Sequence, residues 1–307
     1  MVPAALTRLI VVCGPTAAGK TAASLVLADR LGGEIVAADS RTIYRGMDIG
    51  TAKPTPAERA RVPHHCLDLA DPDEVITLAA YRRAAVEAIV DIRSRGRAPL
   101  LVGGTGLYIR AVVDGFTIPA VPPDPMLRAR LETEEQHTPG GLHTRLQRVD
   151  PLAAARIHPR NIRRLIRALE VFEHTGRPIS SLQLRSGAVG EAVQVALTMD
   201  RAALYRRIDE RVDEQLRAGL LDEVRGLLER GYDPTRPSMQ GLGYKEIVAY
   251  LQGRTGLDEA IRQLRRNTRR FAKRQYTWFR RDPRVHWLSV DGLTPAGVAD
   301  AMSRMLE

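Results

Sequence analysis

One stretch constrains this chain more than any other: Leu9-Ile-Val-Val-Cys13-Gly14-Pro15-Thr16-Ala17-Ala18-Gly19-Lys20-Thr21. An apolar run leads into G-x-x-x-x-G-K-T, and a helix-like run follows to Leu31, where Gly32-Gly33 ends it. Strand, glycine-rich turn and helix in that order form the P-loop context in which backbone cradles phosphate. Gly14 and Gly19 let the chain wrap so that N–H groups converge on phosphate oxygens. The helix N-terminus adds partial positive charge. Lys20 supplies a full charge, and the Thr21 hydroxyl suits Mg²⁺. The expected ligand is a di- or triphosphate held by residues 14–21.

The next elements predict where that loop sits. Glu34–Ala38 and Pro99–Val102 read as short buried strands, and 78–95 has a helical period ending at Gly96. Alternation of this kind predicts a doubly wound, P-loop NTPase-like parallel sheet flanked by helices. Residues just past the strand ends then face the ligand crevice. That puts Asp39, and the turn Gly103-Gly104-Thr105-Gly106, beside the P-loop, although Asp39 also suits a turn cap. The strand before Gly103 does not end in Asp, which weakens a nucleotide hydrolase reading. Pro63–Asp68 reads as another short strand. Its tandem His64 and His65 lack a third ligand at metal spacing, so packing and hydrogen bonding are expected of them.

From Ile118 the texture changes. Pro119, Pro122, Pro123 and Pro125 mark a boundary, and helical stretches follow at 125–136, 142–148, 151–157 and 162–174. The expected organisation is a core over 1–118, a small helical insertion domain over 119–190, and core completion with basic helices over 191–307. Val193–Thr198 reads as a returning strand. One long helix then runs from Asp200 to Gly231, with Arg207 and Arg211 a turn apart on one face. Gln240-Gly241-Leu242-Gly243-Tyr244-Lys245 opens a shorter helix.

Charge sharpens the picture. Lys and Arg number 46 against 36 Asp and Glu, a formal net charge of +10. Much of the excess lies in 261–284, where Arg262, Arg265, Arg266, Arg269, Arg270, Lys273, Arg274, Arg280, Arg281 and Arg284 surround an apolar stripe of Ile261, Leu264, Phe271 and Trp278. Concentrated cations with aromatics on a helix read as a nucleic-acid backbone footprint. Arg160, Arg163, Arg164 and Arg167 form a smaller cluster in the insertion. The only two cysteines, Cys13 and Cys66, have neither metal nor redox spacing, which fits a reducing cytoplasm. The first eight residues carry no signal-peptide pattern, and no run is long and apolar enough to span a membrane. A phosphate cradle, an adjacent carboxylate and a basic surface together point to group transfer from a phosphorylated donor to a nucleic acid, with Asp39 removing a proton.

Several motifs then stand together: 14–21, Asp39-Ser40 with Tyr44, Gly46-Met-Asp-Ile-Gly-Thr-Ala-Lys-Pro54, Pro63-His-His65, Val102–Tyr108, Arg167-Ala-Leu-Glu-Val171 with Thr175-Gly176, Gly243-Tyr-Lys-Glu246, and Ala272-Lys-Arg-Gln275 with Trp278-Phe279. Along nearly its whole length the chain resembles the tRNA dimethylallyltransferases. The resemblance implies dimethylallyl diphosphate as donor, and as acceptor N6 of the adenosine 3′-adjacent to the anticodon. The P-loop would then hold a diphosphate leaving group and Mg²⁺, with Asp39 as general base. It further implies tRNA contacts from Asp39, Ser40, Arg41 and Thr42, from Arg163, Arg164, Leu165, Ile166 and Arg167, and from Gln240 to Lys245. Thr105 and Arg128 would line the acceptor site, and Arg207 or Arg211 would meet the diphosphate. Two positions depart from the family pattern: Thr42, where Gln is frequent, and Asn161, where Asp is common. The chain has no C-terminal zinc finger of the eukaryotic kind, so a bacterial-type enzyme is the expectation. A monomer is expected separately, although the sequence does not fix the oligomeric state. The rivals are a small-molecule P-loop kinase, which leaves the basic helix unexplained, and a non-catalytic RNA binder with a vestigial loop.

Overall fold

A computed structural model describes residues 8–115, 119, 121–182 and 189–306. They fall into two compact units, one drawn from Met1–Ile76, Ala80–Val113 and Val189–Glu307, the other from Thr77–Ala79 and Asp114–Ala188. The first seven residues and the boundary residue Ile118 lie outside the described residues.

The first unit begins β1 (Leu9–Cys13), α1 (Lys20–Leu31), β2 (Glu34–Ala37), α2 (Pro56–Arg61), β3 (His64–His65), α3 (Leu78–Ser94), β4 (Pro99–Val102) and α4 (Gly106–Val113). The second unit holds α5 (Pro125–His137), α6 (Gly141–Val149), α7 (Pro151–Arg156), α8 (Ile162–Thr175) and α9 (Ile179–Leu182). The chain then returns as β5 (Ala192–Thr198), α10 (Arg201–Arg217), α11 (Leu220–Glu229), α12 (Tyr244–Leu251), α13 (Leu257–Phe279), β6 (Val285–Ser289) and α14 (Pro295–Leu306).

All six strands are parallel, in the order β3-β2-β4-β1-β5-β6, so the expected fold class is the observed one. β1 is flanked on both edges, Ile10 lying opposite Leu100 of β4 and Val193 of β5. Its five residues are all buried, as a central strand covered on both faces requires. Ile10, Val12, Leu27, Leu100, Val195, Leu197 and Met302 share one core. Burying one such aliphatic side chain contributes about 1.5–3 kcal/mol. In the second unit, Leu165, Ile166 and Leu169 of α8 pack against Leu131, Leu142 and Leu146. Among the described residues no helix is long and apolar enough to cross a membrane.

Three local expectations are corrected. The single helix from Asp200 to Gly231 is two, because Gly219 sits in the left-handed region (φ 97°) and starts α11 afresh. The strand over Pro63–Asp68 shrinks to His64–His65, because Cys66 and Asp68 take φ values of 62° and 54°, which no strand accommodates. The basic helix stops at Phe279, so Arg281 and Arg284 belong to the turn into β6. On α13 the fully buried line is Ala260, Leu264, Ala272, Gln275 and Phe279, with Ile261, Phe271 and Trp278 half-buried beside it.

Candidate active site

Sheet order brings the expected site residues together. β2, β4 and β1 are successive neighbours, so the turns leaving their C-terminal ends lie side by side. Those turns carry Asp39, Thr105 and the P-loop. They are stitched together by backbone: Ala38 N donates to Val102 O (2.7 Å), Gly103 N to Val12 O (3.0 Å), and Thr105 N to Ala38 O (3.1 Å). A Cβ on Gly103 would collide with the Ala38 carbonyl, so only glycine lets these turns close up. The Thr105 hydroxyl accepts from Ser40 N at 3.0 Å, which fixes the chain immediately after Asp39.

The P-loop holds its shape by unusual backbone. Gly14 and Gly19 have φ of 120° and 88°, and Ala17, which has a Cβ, is also left-handed at 65°. A Cβ on Gly14 would meet the Leu197 carbonyl of β5 at 2.6 Å. Pro15 and Ala18 are buried, and Thr16 and Ala17 half-buried. Lys20 Nζ folds back onto the loop, donating to Gly14 O (3.1 Å) and Pro15 O (2.7 Å). Thr21 stands exposed at the start of α1, and among the described residues its hydroxyl makes no hydrogen bond.

Electrostatics ties the pieces together. Desolvation in the loop, then the nearby Arg211 guanidinium, pull the Lys20 ammonium down to about 8, against the opposing pull of Asp39. Burial lowers Arg211 as well, again opposed by Asp39. Lys20, Arg211 and Asp39 thus feel one another's charge. Asp39 accepts one backbone bond, from Arg41 N (2.9 Å), and among the described residues it forms no ion pair. Arg207 also approaches the loop, its Nη1 3.7 Å from where a Gly19 Cβ would stand. Both arginines of α10 therefore border the P-loop, and Arg211 is the one coupled to the Lys20–Asp39 charges.

The other expected residues divide by exposure. Thr42 is buried, and the Arg41 guanidinium donates to Pro237 O. Gln240 is exposed and Lys245 half-exposed, whereas Gly241, Gly243 and Tyr244 are buried and Leu242 is half-buried. Tyr244 donates to Glu223 Oε1 (2.6 Å), and Glu223 also accepts the N–H groups of Asp48, Ile49 and Gly50 at 2.7–3.1 Å. One carboxylate therefore fastens the loop after β2 to the start of α12. In the second unit Arg163 and Arg164 are exposed, while Leu165 and Ile166 are core residues. Arg128 and Arg167 converge on the buried Glu170, at 2.7 Å and 2.6 Å. Asn161 is the N-cap of α8 without a side-chain capping bond.

On α13 the cations split by face. Arg265 and Arg269 pair with Asp213 and Asp209 of α10, and Arg269 also lies over the Tyr205 ring. Arg266, Arg270, Lys273 and Arg274 are exposed and, among the described residues, form no ion pair. Arg274 lies over the Phe271 ring, 5.6 Å from its centroid. His65 binds Glu34 (2.7 Å) and His64 binds the Val62 carbonyl (2.7 Å). Sequence reasoning assigned no role to Glu223, Lys53 or Gln275. Lys53, fully buried, is held by Asp48, Asp68 (2.6 Å) and the Tyr44 carbonyl (2.7 Å). Its place inside a glycine-rich motif was the available signal; an isolated Glu223 on an amphipathic helix offered none.

Residues 42–282 match the family model described as IPP transferase. The chain is 54% identical over 289 residues to the tRNA dimethylallyltransferase of Symbiobacterium thermophilum, covering 92% of this chain and 90% of that protein. It is 55% identical over 284 residues to the enzyme of the same name from a Roseiflexus species, covering 92% and 93%. Among solved structures, the tRNA isopentenylpyrophosphate transferase of Bacillus halodurans matches at 43% identity and TM-score 0.72, over 97% of this chain and 96% of that one. A eukaryotic dimethylallyltransferase acting on tRNA matches at 28% identity and TM-score 0.78, over 92% and 73%. Neither the kinase nor the non-catalytic reading finds support among these relatives. With the family model spanning most of the chain and relatives covering over nine tenths of it, this chain belongs to the tRNA dimethylallyltransferase (IPP transferase) family.

Proposed function

We propose that this enzyme transfers the dimethylallyl group of dimethylallyl diphosphate to N6 of the adenosine 3′-adjacent to the anticodon, using the P-loop for the diphosphate and Asp39 for the proton. The reading is carried by one observation: Asp39, in no ion pair among the described residues, lies within electrostatic reach of Lys20 and Arg211, two cations that burial disfavours, with Arg211 lowering Lys20 further. Such a cluster is short of negative charge, and a diphosphate supplies it.

The chemistry follows from the groups present. The allylic C–O bond breaks and its electron pair leaves with the diphosphate. Loop N–H groups, Lys20, Arg211 and Arg207 meet the charge that develops there. The N6 lone pair forms the new C–N bond, and its proton passes to the Asp39 carboxylate. Thr105 holds Ser40 and so sets the acid's position. The Thr21 hydroxyl, in no hydrogen bond among the described residues, fits a cation that keeps most of its ligands from phosphate and water, as Mg²⁺ does, and such an ion would neutralise further diphosphate charge. An adenine must leave its stack to reach the crevice, which favours an anticodon stem-loop as the tRNA segment bound. The exposed face of α13 around Arg270 and Lys273 suits its phosphates. Two buried, unbridged cysteines fit a cytoplasmic enzyme, and we take the chain to act as a monomer.

The test is turnover of labelled dimethylallyl diphosphate with an anticodon stem-loop. The expected product gains one five-carbon unit on the anticodon-adjacent adenosine. Modification elsewhere, or transfer only from a nucleoside triphosphate, would overturn the reading.

A further inference from the structure

Buried in the packing of α13 is a polar side chain with no evident structural need. Gln275 is 5% exposed, on the helix face that otherwise carries Ala260, Leu264, Ala272 and Phe279. Its Oε1 accepts the N–H of Thr16 in the P-loop at 2.8 Å. Its Nε2 donates to the carbonyl of Gly104, in the turn after β4, at 2.9 Å. One planar carboxamide thus spans the two glycine-rich turns that leave neighbouring strands.

The surroundings are shaped around that bridge. A Cβ on Gly104 would collide with Gln275 Nε2, and a Cβ on Gly106 would collide with the indole of Trp278, one helical turn further along α13. Both glycines therefore let the helix come down onto the turn. The next residue after Gly104 is Thr105, whose hydroxyl holds the backbone beside Asp39. The chain of contacts runs from the P-loop through Gln275 to Gly104, Thr105, Ser40 and Asp39. Elsewhere on the same helix Arg270, Lys273 and Arg274 are exposed and, among the described residues, in no ion pair.

We infer that Gln275 is a positioning residue that sets the separation between the phosphate cradle and the Asp39 side of the crevice. The inference rests on the reading that the P-loop holds the diphosphate. The task demands one acceptor and one donor at opposite edges of a group of fixed width, which glutamine alone among residues of this length supplies at neutral pH. A methionine fills the space and offers neither. An ionised glutamate keeps the acceptor but faces the Gly104 carbonyl with negative charge. Misplacing reacting groups by about 1 Å costs on the order of 10²-fold in rate, so loosening this bridge acts on the chemical step and not on RNA capture.

The experiment compares Gln275→Met, Gln275→Glu and Gly104→Ala with wild type, using dimethylallyl diphosphate and an anticodon stem-loop. The expected result is a kcat about tenfold or more lower in each, with the stem-loop KM within about twofold of wild type, when rates are normalised to correctly folded enzyme. Gly104→Ala pushes the carboxamide aside, so combining it with Gln275→Met should add little to the loss from either. A kcat equal to wild type in a folded variant overturns the inference, as do equal losses in kcat and stem-loop affinity, or losses that multiply in the double variant. Calorimetry of wild type with inorganic diphosphate and Mg²⁺ separates the two levels. Binding together with an unimpaired Gln275→Met removes only the role of Gln275. No binding at all removes the diphosphate reading and the inference with it.

Discussion

Strand β2 starts on one acid and is followed by another just past its end, and the two could hardly be treated more differently. Glu34 opens the strand, buried to 1% exposure, and its carboxylate is saturated: Arg95 binds both oxygens, Arg97 sits at 3.2 Å and His65 at 2.7 Å. Hydrogen bonding to Arg95 outweighs burial and holds the carboxyl down to about 2. Asp39 lies just past the other end, half-buried, with a single backbone donor and no ion pair among the described residues, although its charge reaches Lys20 and Arg211. At the first acid the cations have found their anion, so the groups are locked. At the second they have not, and the ammonium of Lys20 is depressed to about 8. Satisfied charge at one end of a strand serves folding; unsatisfied charge at the other is available to a ligand.

The comparison breaks most visibly at Asp39. Asp39→Ala should lower turnover roughly 10²–10⁴-fold while stem-loop affinity stays close to wild type. Turnover at the wild-type rate, measured on a single pass with excess enzyme, would make Asp39 a second structural acid. Glu34 should respond in the opposite currency. Its folded pKa lies below the ordinary 4.5, so its contribution is fully present above that pH and drains away as pH falls towards 2. Its size is at most about 3 kcal/mol, since the arginines that hold it are themselves half-exposed. Urea midpoints taken between pH 7 and pH 3 should therefore fall less steeply in Glu34→Gln than in wild type, with kcat preserved; parallel pH slopes would contradict the assignment.

Smaller effects test the same contrast on α13. Arg270→Gln should shallow the salt dependence of stem-loop binding by about one phosphate's worth of slope. Arg269→Gln, which instead loses the pair with Asp209, should show mainly in thermal stability. Interchanged phenotypes would mean that RNA approaches another face. The smallest signal is a proton. If diphosphate meets Lys20, the lysine, depressed to about 8, should add a fraction of a proton of uptake to the ligand's own titration at pH 9 and almost none at pH 6.5. Calorimetry in buffers of different ionisation enthalpy, set against the ligand's own titration, reads this, and no added uptake at pH 9 would detach Lys20 from the ligand.

How much of this was legible in the chain itself differs from element to element. Short apolar runs alternating with helical periods were enough for a parallel α/β sheet, because a strand buried on both faces needs a continuous apolar run. The G-x-x-x-x-G-K-T spacing was enough for the P-loop, since the loop's backbone geometry is written in its glycines. The motifs between residues 14 and 279 were enough for the family. Helix ends at Gly219, and a strand cut short at Cys66, were not readable, because each depends on one residue's φ that tertiary contacts impose. Only the folded chain decided which cations are paired. Arg269 and Arg270 are adjacent in sequence, yet one faces Asp209 and the other faces outward. Likewise Gln275 meets Thr16 across 259 positions of sequence. Local sequence dictates periodicity and backbone type, but partners brought together by strand order and helix docking are decided by the fold as a whole.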